Sequence, residues 1–219
     1  MKTKISDLTK IDAFEKYYKF LVEENNKYNL TSITDKDEVY IKHFLDSLSI
    51  ENIIDLDNIS LCDVGSGAGF PAIPLKIMYP NIKLTIIEPT LKRCNFLKQV
   101  VEMLNMKDIE IINDRAENIK DMHFDVVCAR AVSNLSILLE LCIPLVKMNG
   151  YFISMKGSNY KEELDDASNA LNALDAKVED IYEYDLEEYG KRVLLKIKKI
   201  KETKKIYPRM YSQIKKKPL

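Results

Sequence analysis

A short strand, three glycines and an acid constrain this chain more than any other feature. Ile59-Ser60-Leu61-Cys62-Asp63-Val64 reads as a strand, and Gly65-Ser66-Gly67-Ala68-Gly69 follows it directly. Phe70-Pro71-Ala72-Ile73-Pro74 can then open a helix, because proline is tolerated where first-turn N–H groups have no helical partner anyway. The next strand, Lys83 to Glu88, ends on an acid 23 residues after Gly65. Glycine lets the backbone turn tightly and approach a ligand with no Cβ in the way. An acid ending the second strand of such a unit reaches the two hydroxyls of a ribose. Gly65, Gly67 and Glu88 together therefore point to an adenosine-containing cofactor. The competing reading is a glycine turn that only packs strand against helix.

Strands and helices alternate through most of the remaining chain. Leu91 to Leu104 reads as a helix, Ile109 to Ile112 as a third strand and Phe124 to Ala129 as a fourth. Leu135 to Val146 reads as a helix stopped by Asn149-Gly150, Tyr151 to Met155 as a fifth strand, and Lys161 to Leu174 as one helix. Lys177 to Tyr184 and Arg192 to Ile200 are close enough to pair as a hairpin. Upstream, Ile11, Phe14, Tyr18, Leu21 and Val22 recur at helical spacing within residues 7–28, and a second helix is predicted over Lys36 to Ser49. The predicted architecture is α/β, a doubly wound Rossmann-like sheet with an N-terminal helical cap and a C-terminal antiparallel hairpin. The expected divisions are a cap at 1–58, a cofactor-binding domain at 59–203 and a basic tail at 204–219.

The formal net charge is only -1, but its distribution is uneven. Lys191 to Leu219 holds 12 Lys or Arg and one acid, Glu202, a local charge of +11 that leaves -12 on residues 1–190. A basic end on an acidic body suggests a polyanionic partner, against the alternative of a solvated tail. Cys62, Cys94, Cys128 and Cys142 form no C-x-x-C pair and lie away from His43 and His123, so no metal site is expected. Reduced thiols in apolar stretches, no signal-like N-terminus and no apolar run of spanning length predict a cytoplasmic protein with no membrane partner.

The G-x-G-x-G spacing departs from the dinucleotide fingerprint G-x-G-x-x-G, which counts against an NAD-dependent oxidoreductase. It resembles the first motif of class I methyltransferases. Segments along nearly the whole chain resemble the RsmG (GidB) family of bacterial rRNA methyltransferases. They include Asn29-Leu30-Thr31-Ser32-Ile33, His43-Phe44-Leu45-Asp46-Ser47-Leu48, Asp63 to Leu75, Arg115-Ala116-Glu117 and Phe124-Asp125-Val126-Val127 leading to Arg130-Ala131. Met155-Lys156-Gly157, Arg192, Tyr207-Pro208-Arg209 and Lys216-Lys217-Pro218-Leu219 complete the set. Two departures are Ala72, where the family often has glycine, and Met210-Tyr211-Ser212, which interrupts a tail that is usually more regularly basic.

The resemblance implies methyl transfer from S-adenosyl-L-methionine to N7 of one guanine in 16S rRNA, on naked rRNA or on the small ribosomal subunit; a monomer is the expected state. Carried over, the cofactor contacts fall on Gly65, Phe70, Ala116, Glu117 and Arg130. From residue types alone, Asn113 to Glu117 is a helix cap or turn, and Arg130 is either a forked donor to a carboxylate or phosphate or a surface ion pair. Lys156, Arg192 and Arg209 are the cations expected to meet RNA. Tyr207 and Tyr211 are either base-stacking groups or tail-packing ones. His43 and Asp46, nearly one turn apart, are either a proton relay or a structural hydrogen-bonding pair.

Guanine N7 carries a lone pair and no proton, so the reaction needs alignment rather than a general base. The sequence names no catalytic residue. It lacks the Asn/Asp-Pro-Pro-aromatic run of amino-group methyltransferases after the fourth strand, and Cys142 fits poorly as a pyrimidine-C5 nucleophile. A small-molecule methyltransferase and a non-catalytic ribosome assembly factor are the alternatives.

Overall fold

In the computed structural model, residues 2–130 and 133–219 are described. Seven strands form one sheet: β1 (Ser60–Val64), β2 (Lys83–Ile87), β3 (Ile109–Ile112), β4 (Phe124–Arg130), β5 (Val146–Lys156), β6 (Ala176–Asp185) and β7 (Lys191–Lys199). Their order is β3-β2-β1-β4-β5-β7-β6. The first five pair in parallel. β7 runs antiparallel to both neighbours, because a short turn can only reverse the chain, whereas a parallel neighbour needs a long crossover. The expected doubly wound sheet with a C-terminal hairpin is what forms.

Alternation along the strands feeds two cores. Leu61, Leu84 and Ile86 point into one, and Cys62, Val64 and Ile87 into the other. The first core is covered by α1 (Asp12–Tyr28), a helical rod α2, α3 (Ala72–Met78) and α4 (Leu91–Met103). The rod α2 joins α-helical Lys36–Val39, π-helical Tyr40–Leu45, α-helical Asp46–Leu48 and 3-10 Ser49–Asn52. Val39, Phe44, Leu45 and Leu48 are buried, as their spacing predicts. On α1 the buried stripe is Phe14, Tyr17 and Leu21, so Tyr17 takes the place expected of Tyr18. All four cysteines are free and buried.

The second core is covered by α5 (Leu135–Cys142), α6 (Tyr160–Asp166), α7 (Ser168–Ala173) and α8 (Tyr211–Lys216). The connection from β3 to β4 carries only a 3-10 turn, Ala116–Asn118, and no α-helix. Ile214 of α8 is fully buried in this core, with Tyr207, Tyr211 and Leu219 packed against it. The tail at 204–219 is thus docked and not solvated as a whole.

Three sequence expectations need correction. The helix from Leu135 stops at Cys142, passes through a 3-10 turn and gives way to β5 at Val146, so Asn149-Gly150 lies inside a strand. There the β4–β5 register jumps, with Phe124 opposite Val146 but Val126 opposite Tyr151. Asn149 takes φ +63°, and a Cβ on Gly150 would lie 2.7 Å from the Asp125 carbonyl oxygen. An Asn-Gly pair suits that close bulge as well as it suits a helix stop. The helix predicted over Lys161 to Leu174 is two, broken at Ala167.

Candidate active site

The carboxyl ends of the parallel strands meet the glycine loop. Gly65, Gly67 and Gly69 have φ of +73°, +61° and +103°, a region that L side chains rarely adopt. Their reasons differ. A Cβ on Gly69 would lie 2.6 Å from Tyr17 Oη and 2.7 Å from Ile73 Cγ1, so this glycine is required by packing. A Cβ on Gly67 would meet nothing within 4 Å, so the backbone there faces open space. The Tyr17 hydroxyl donates to the Ala68 carbonyl and ties α1 to the loop.

Glu88 closes the other side. Its side chain is 1% exposed. One oxygen accepts from Gly67 N at 3.0 Å and the other from Thr90 N at 2.9 Å. Arg93 stands 3.7 Å away. Gly65 and Glu88 line a cleft of about 250 Å³, with apolar walls from Ile87, Ala116 and Leu141. Ala116 and Glu117 are both nearly buried on the 3-10 turn after β3. Arg115 of the same connection lies 5.1 Å over the Tyr211 ring, and both groups also line this cleft. The geometry therefore gathers Gly65, Glu88, Ala116 and Glu117 around one slot, with Gly67 hydrogen-bonded to Glu88 at its edge.

A second cleft, about 560 Å³, opens over the ends of β4, β5 and β7. Arg130 is its centre. Its Nη1 donates to the Lys42 carbonyl at 3.0 Å and to Asp46 Oδ2 at 3.1 Å, and Nη2 lies 3.2 Å from His43 Nδ1. Tyr184 donates to the other Asp46 oxygen at 2.8 Å. His43 Nδ1 also lies 3.2 Å from the Lys42 carbonyl oxygen, and its Nε2 lies 2.9 Å from Thr31 Oγ1. Burial, with Arg130 nearby, lowers the His43 imidazole to about 3, so the ring is neutral near pH 7. His43 and Asp46 are joined through Arg130 and not to each other. The π-helical turn at Tyr40–Leu45 presents this face of α2 to the sheet.

Phe70 connects the glycine loop to Arg130 and His43 of the second cleft. Its ring stacks on His43 at 4.4 Å and lies 5.0 Å beneath the Arg130 guanidinium, one residue beyond the glycine loop. Ala131 and Val132, next in sequence after Arg130, lie outside the described residues.

The three cations expected to meet RNA separate here. Arg192 lines the second cleft and, among the described residues, makes no salt bridge. Lys156 is committed inward, donating to Ser133 O at 2.9 Å and Glu163 Oε2 at 2.6 Å with only 7% of its side chain exposed. Arg209 forms a forked pair with Glu140 at 2.7 and 2.6 Å, and that glutamate is fully buried. Both cations thus have carboxylate partners within the fold, the partner of Arg209 fully buried, and Lys156 also lines the second cleft. Among the described residues, no cluster of three or more His, Cys, Asp or Glu could hold a metal, and no helix is long and apolar enough to cross a membrane.

Sequence reasoning passed over Asp63 and Tyr184. Asp63 lies buried beneath the glycine loop and accepts from Ala72 N at 3.3 Å. Its mid-strand place in an apolar run was the available signal. Tyr184 had none, because its partner Asp46 is 138 positions away. Burial raises the Asp63 carboxyl to about 7, against a partial offset from Ser66, Ala72 and Arg130. An unfolded aspartate titrates near 4. Between about pH 4 and 7 the unfolded chain gives up a proton that the folded chain keeps, so this group's contribution to stability falls as pH rises and is flat above 7. Asp63→Asn keeps an acceptor for Ala72 and removes the titration. Urea unfolding at pH 5 and pH 8 should show a smaller loss of stability with rising pH in the variant than in the wild type. Parallel slopes would remove this role from Asp63.

A sheet in the order β3-β2-β1-β4-β5-β7-β6, with a glycine loop after β1 and an acid after β2, defines the class I S-adenosylmethionine-dependent methyltransferase fold. A methyltransferase from Pyrococcus furiosus superposes with a TM-score of 0.63 at 12% identity, covering 85% of this chain and 98% of that one. M. jannaschii TYW2 in complex with AdoMet gives 0.58 at 16% identity, covering 72% and 76%. The family model described as GidB, rRNA small subunit methyltransferase G, matches residues 10–192, and the chain belongs to that family. It is 45% identical over 217 residues to the Ribosomal RNA small subunit methyltransferase G of Staphylococcus epidermidis, covering 96% of this chain and 91% of that protein. The protein of the same name from Mycoplasma capricolum is 48% identical over 200 residues, covering 90% and 87%.

Proposed function

We propose that this chain methylates N7 of a guanine in 16S rRNA of the small ribosomal subunit, with S-adenosyl-L-methionine as donor, acting in the cytoplasm as a monomer. The single observation that carries the reading is a cleft at the carboxyl ends of the parallel strands, lined by Gly65 and Glu88 and shaped for a nucleoside, with a second cleft edged by Lys42 and Arg192 over the end of β4. The residues of the first cleft fit the donor. The open backbone at Gly67 leaves room for its chain, Glu88 suits the ribose hydroxyls, and Ile87, Ala116, Glu117 and Leu141 suit an adenine. Bound there, the donor supplies a methyl on a positively charged sulfur, and the C–S electron pair stays with sulfur as the N7 lone pair forms the new bond.

The chain's own part is alignment and charge. Arg130 lines the second cleft above the Phe70 ring, held by Asp46, His43 and the Lys42 carbonyl, and Tyr184 fixes the other Asp46 oxygen. Two of the five guanidinium N–H groups of Arg130 remain for a donor carboxylate or an RNA phosphate. His43 is neutral near pH 7 with both nitrogens engaged, which suits a reaction that removes no proton before transfer. Such positioning is worth roughly 7–11 kcal/mol when the reacting atoms are aligned.

The test is transfer of labelled methyl from S-adenosylmethionine to small-subunit rRNA, naked and assembled, followed by mapping of the modified base. Label on one guanine, cleavable as an N7-methyl adduct, is expected. Cofactor binding with no label on either substrate would point to a small-molecule acceptor.

A further inference from the structure

The basic tail does not leave the domain; it returns to the first cleft. Arg209 fastens it there through the fully buried Glu140 of α5, whose neighbour Leu141 lines the slot. Backbone N–H of Arg209 donates to the same carboxylate at 3.0 Å, so the anchor fixes main chain and side chain together. Two residues on, Tyr211 stands in the cleft wall with Arg115 stacked on its ring. Ile214 then closes the core beneath. The reason lies in the topology. Where β3 passes to β4 without an α-helix, that part of the sheet face and the slot beside it lack a wall, and α8 contributes one.

We propose that the C-terminal segment is part of the cofactor site, with Tyr211 and Arg115 forming a planar wall against which the adenine of the donor stacks. The inference rests on the adenosine reading of this cleft. The apolar walls of the site are aliphatic, from Ile87, Ala116 and Leu141, and Tyr211 is the only aromatic ring among the described residues that line it, so the stacked pair offers a flat, polarizable surface that those walls do not. The positive charge of Arg115 is spread over a ring, and Arg93 is turned to Glu88, which suits an uncharged base better than a phosphate. Tyr211 is one of the residues that interrupts the tail's basic run, which gives the interruption a purpose.

Tyr211→Ala, Tyr211→Phe and the wild type should be compared by equilibrium dialysis against labelled S-adenosylmethionine, S-adenosylhomocysteine and adenosine. Loss of an aromatic stacking surface is worth about tenfold in affinity. Tyr211→Ala is expected to weaken all three ligands by that common factor, because the contact is to the base they share. Tyr211→Phe should bind as the wild type does, and rRNA binding on filters should be unchanged in both. Affinities for all three ligands within twofold of wild type, or a loss confined to rRNA, would overturn the proposal while leaving the cofactor reading intact. A wild type that binds none of the three would sink that reading and this one with it. Deletion of 204–219 is a poorer probe, because it also strips Glu140 of its partner.

Discussion

Gly65→Asp is expected to abolish binding of S-adenosylmethionine while leaving the protein folded. Gly65 sits at φ +73°, where aspartate is among the better tolerated side chains, at a cost of about 1–2 kcal/mol. Its N–H donates to the Ile87 carbonyl at 2.8 Å, a bond that aspartate preserves. What changes is the cleft. A carboxylate would project into a slot that already holds Glu88, filling space and adding a second negative charge to the ribose end. Affinity should fall by more than about 100-fold, which is roughly 2.7 kcal/mol. Dialysis reads the affinity, and a thermal melt without ligand checks that the fold survives. Undiminished binding would remove Gly65 from the site.

Arg209→Met should destabilise the fold by about 3 kcal/mol, the lower end of what removing one partner of a buried pair costs, since Arg209 remains a quarter exposed. Glu140 would be left with no exposure and no cation, in a helix whose other residues are nearly all apolar and buried. For a chain of this size that corresponds to a drop of roughly 6–12 °C in Tm. The double variant Arg209→Met with Glu140→Met replaces the pair with packing of similar volume and should recover most of the loss, as such swaps often do. If the two single losses simply added, the pair would not be the anchor described.

The glycine loop, Glu88 and the closing hairpin were legible because each depends on neighbours in sequence. Gly65 to Glu88 lie within one βαβ unit, and β6 and β7 are joined by a short turn. The destinations of charged side chains were less legible. Lys156 and Arg209 looked like cations awaiting a phosphate, yet each has a carboxylate partner, Glu163 close in sequence and Glu140 69 positions away. Glu140 was the available clue, a lone acid in Leu135-Ser136-Ile137-Leu138-Leu139-Glu140-Leu141-Cys142 that would be buried with its helix. The Asn149-Gly150 pair misled for a different reason. Left-handed backbone looks the same at a helix stop and at a bulge, and only the pairing of β5 with β4 separates them.

The space beside Gly69 is filled by Ile73 and Leu97 and, from the N-terminal helices, by the Tyr17 hydroxyl, which also holds the Ala68 carbonyl. One residue past that glycine, the Phe70 ring lies against both Tyr17 and His43. The N-terminal helices and the glycine loop are therefore packed as one unit. A ligand that selects the ordered loop selects the docked α1 and α2 to the same degree. By reciprocity, any contact that holds those helices in place favours the ordered loop and its ligand.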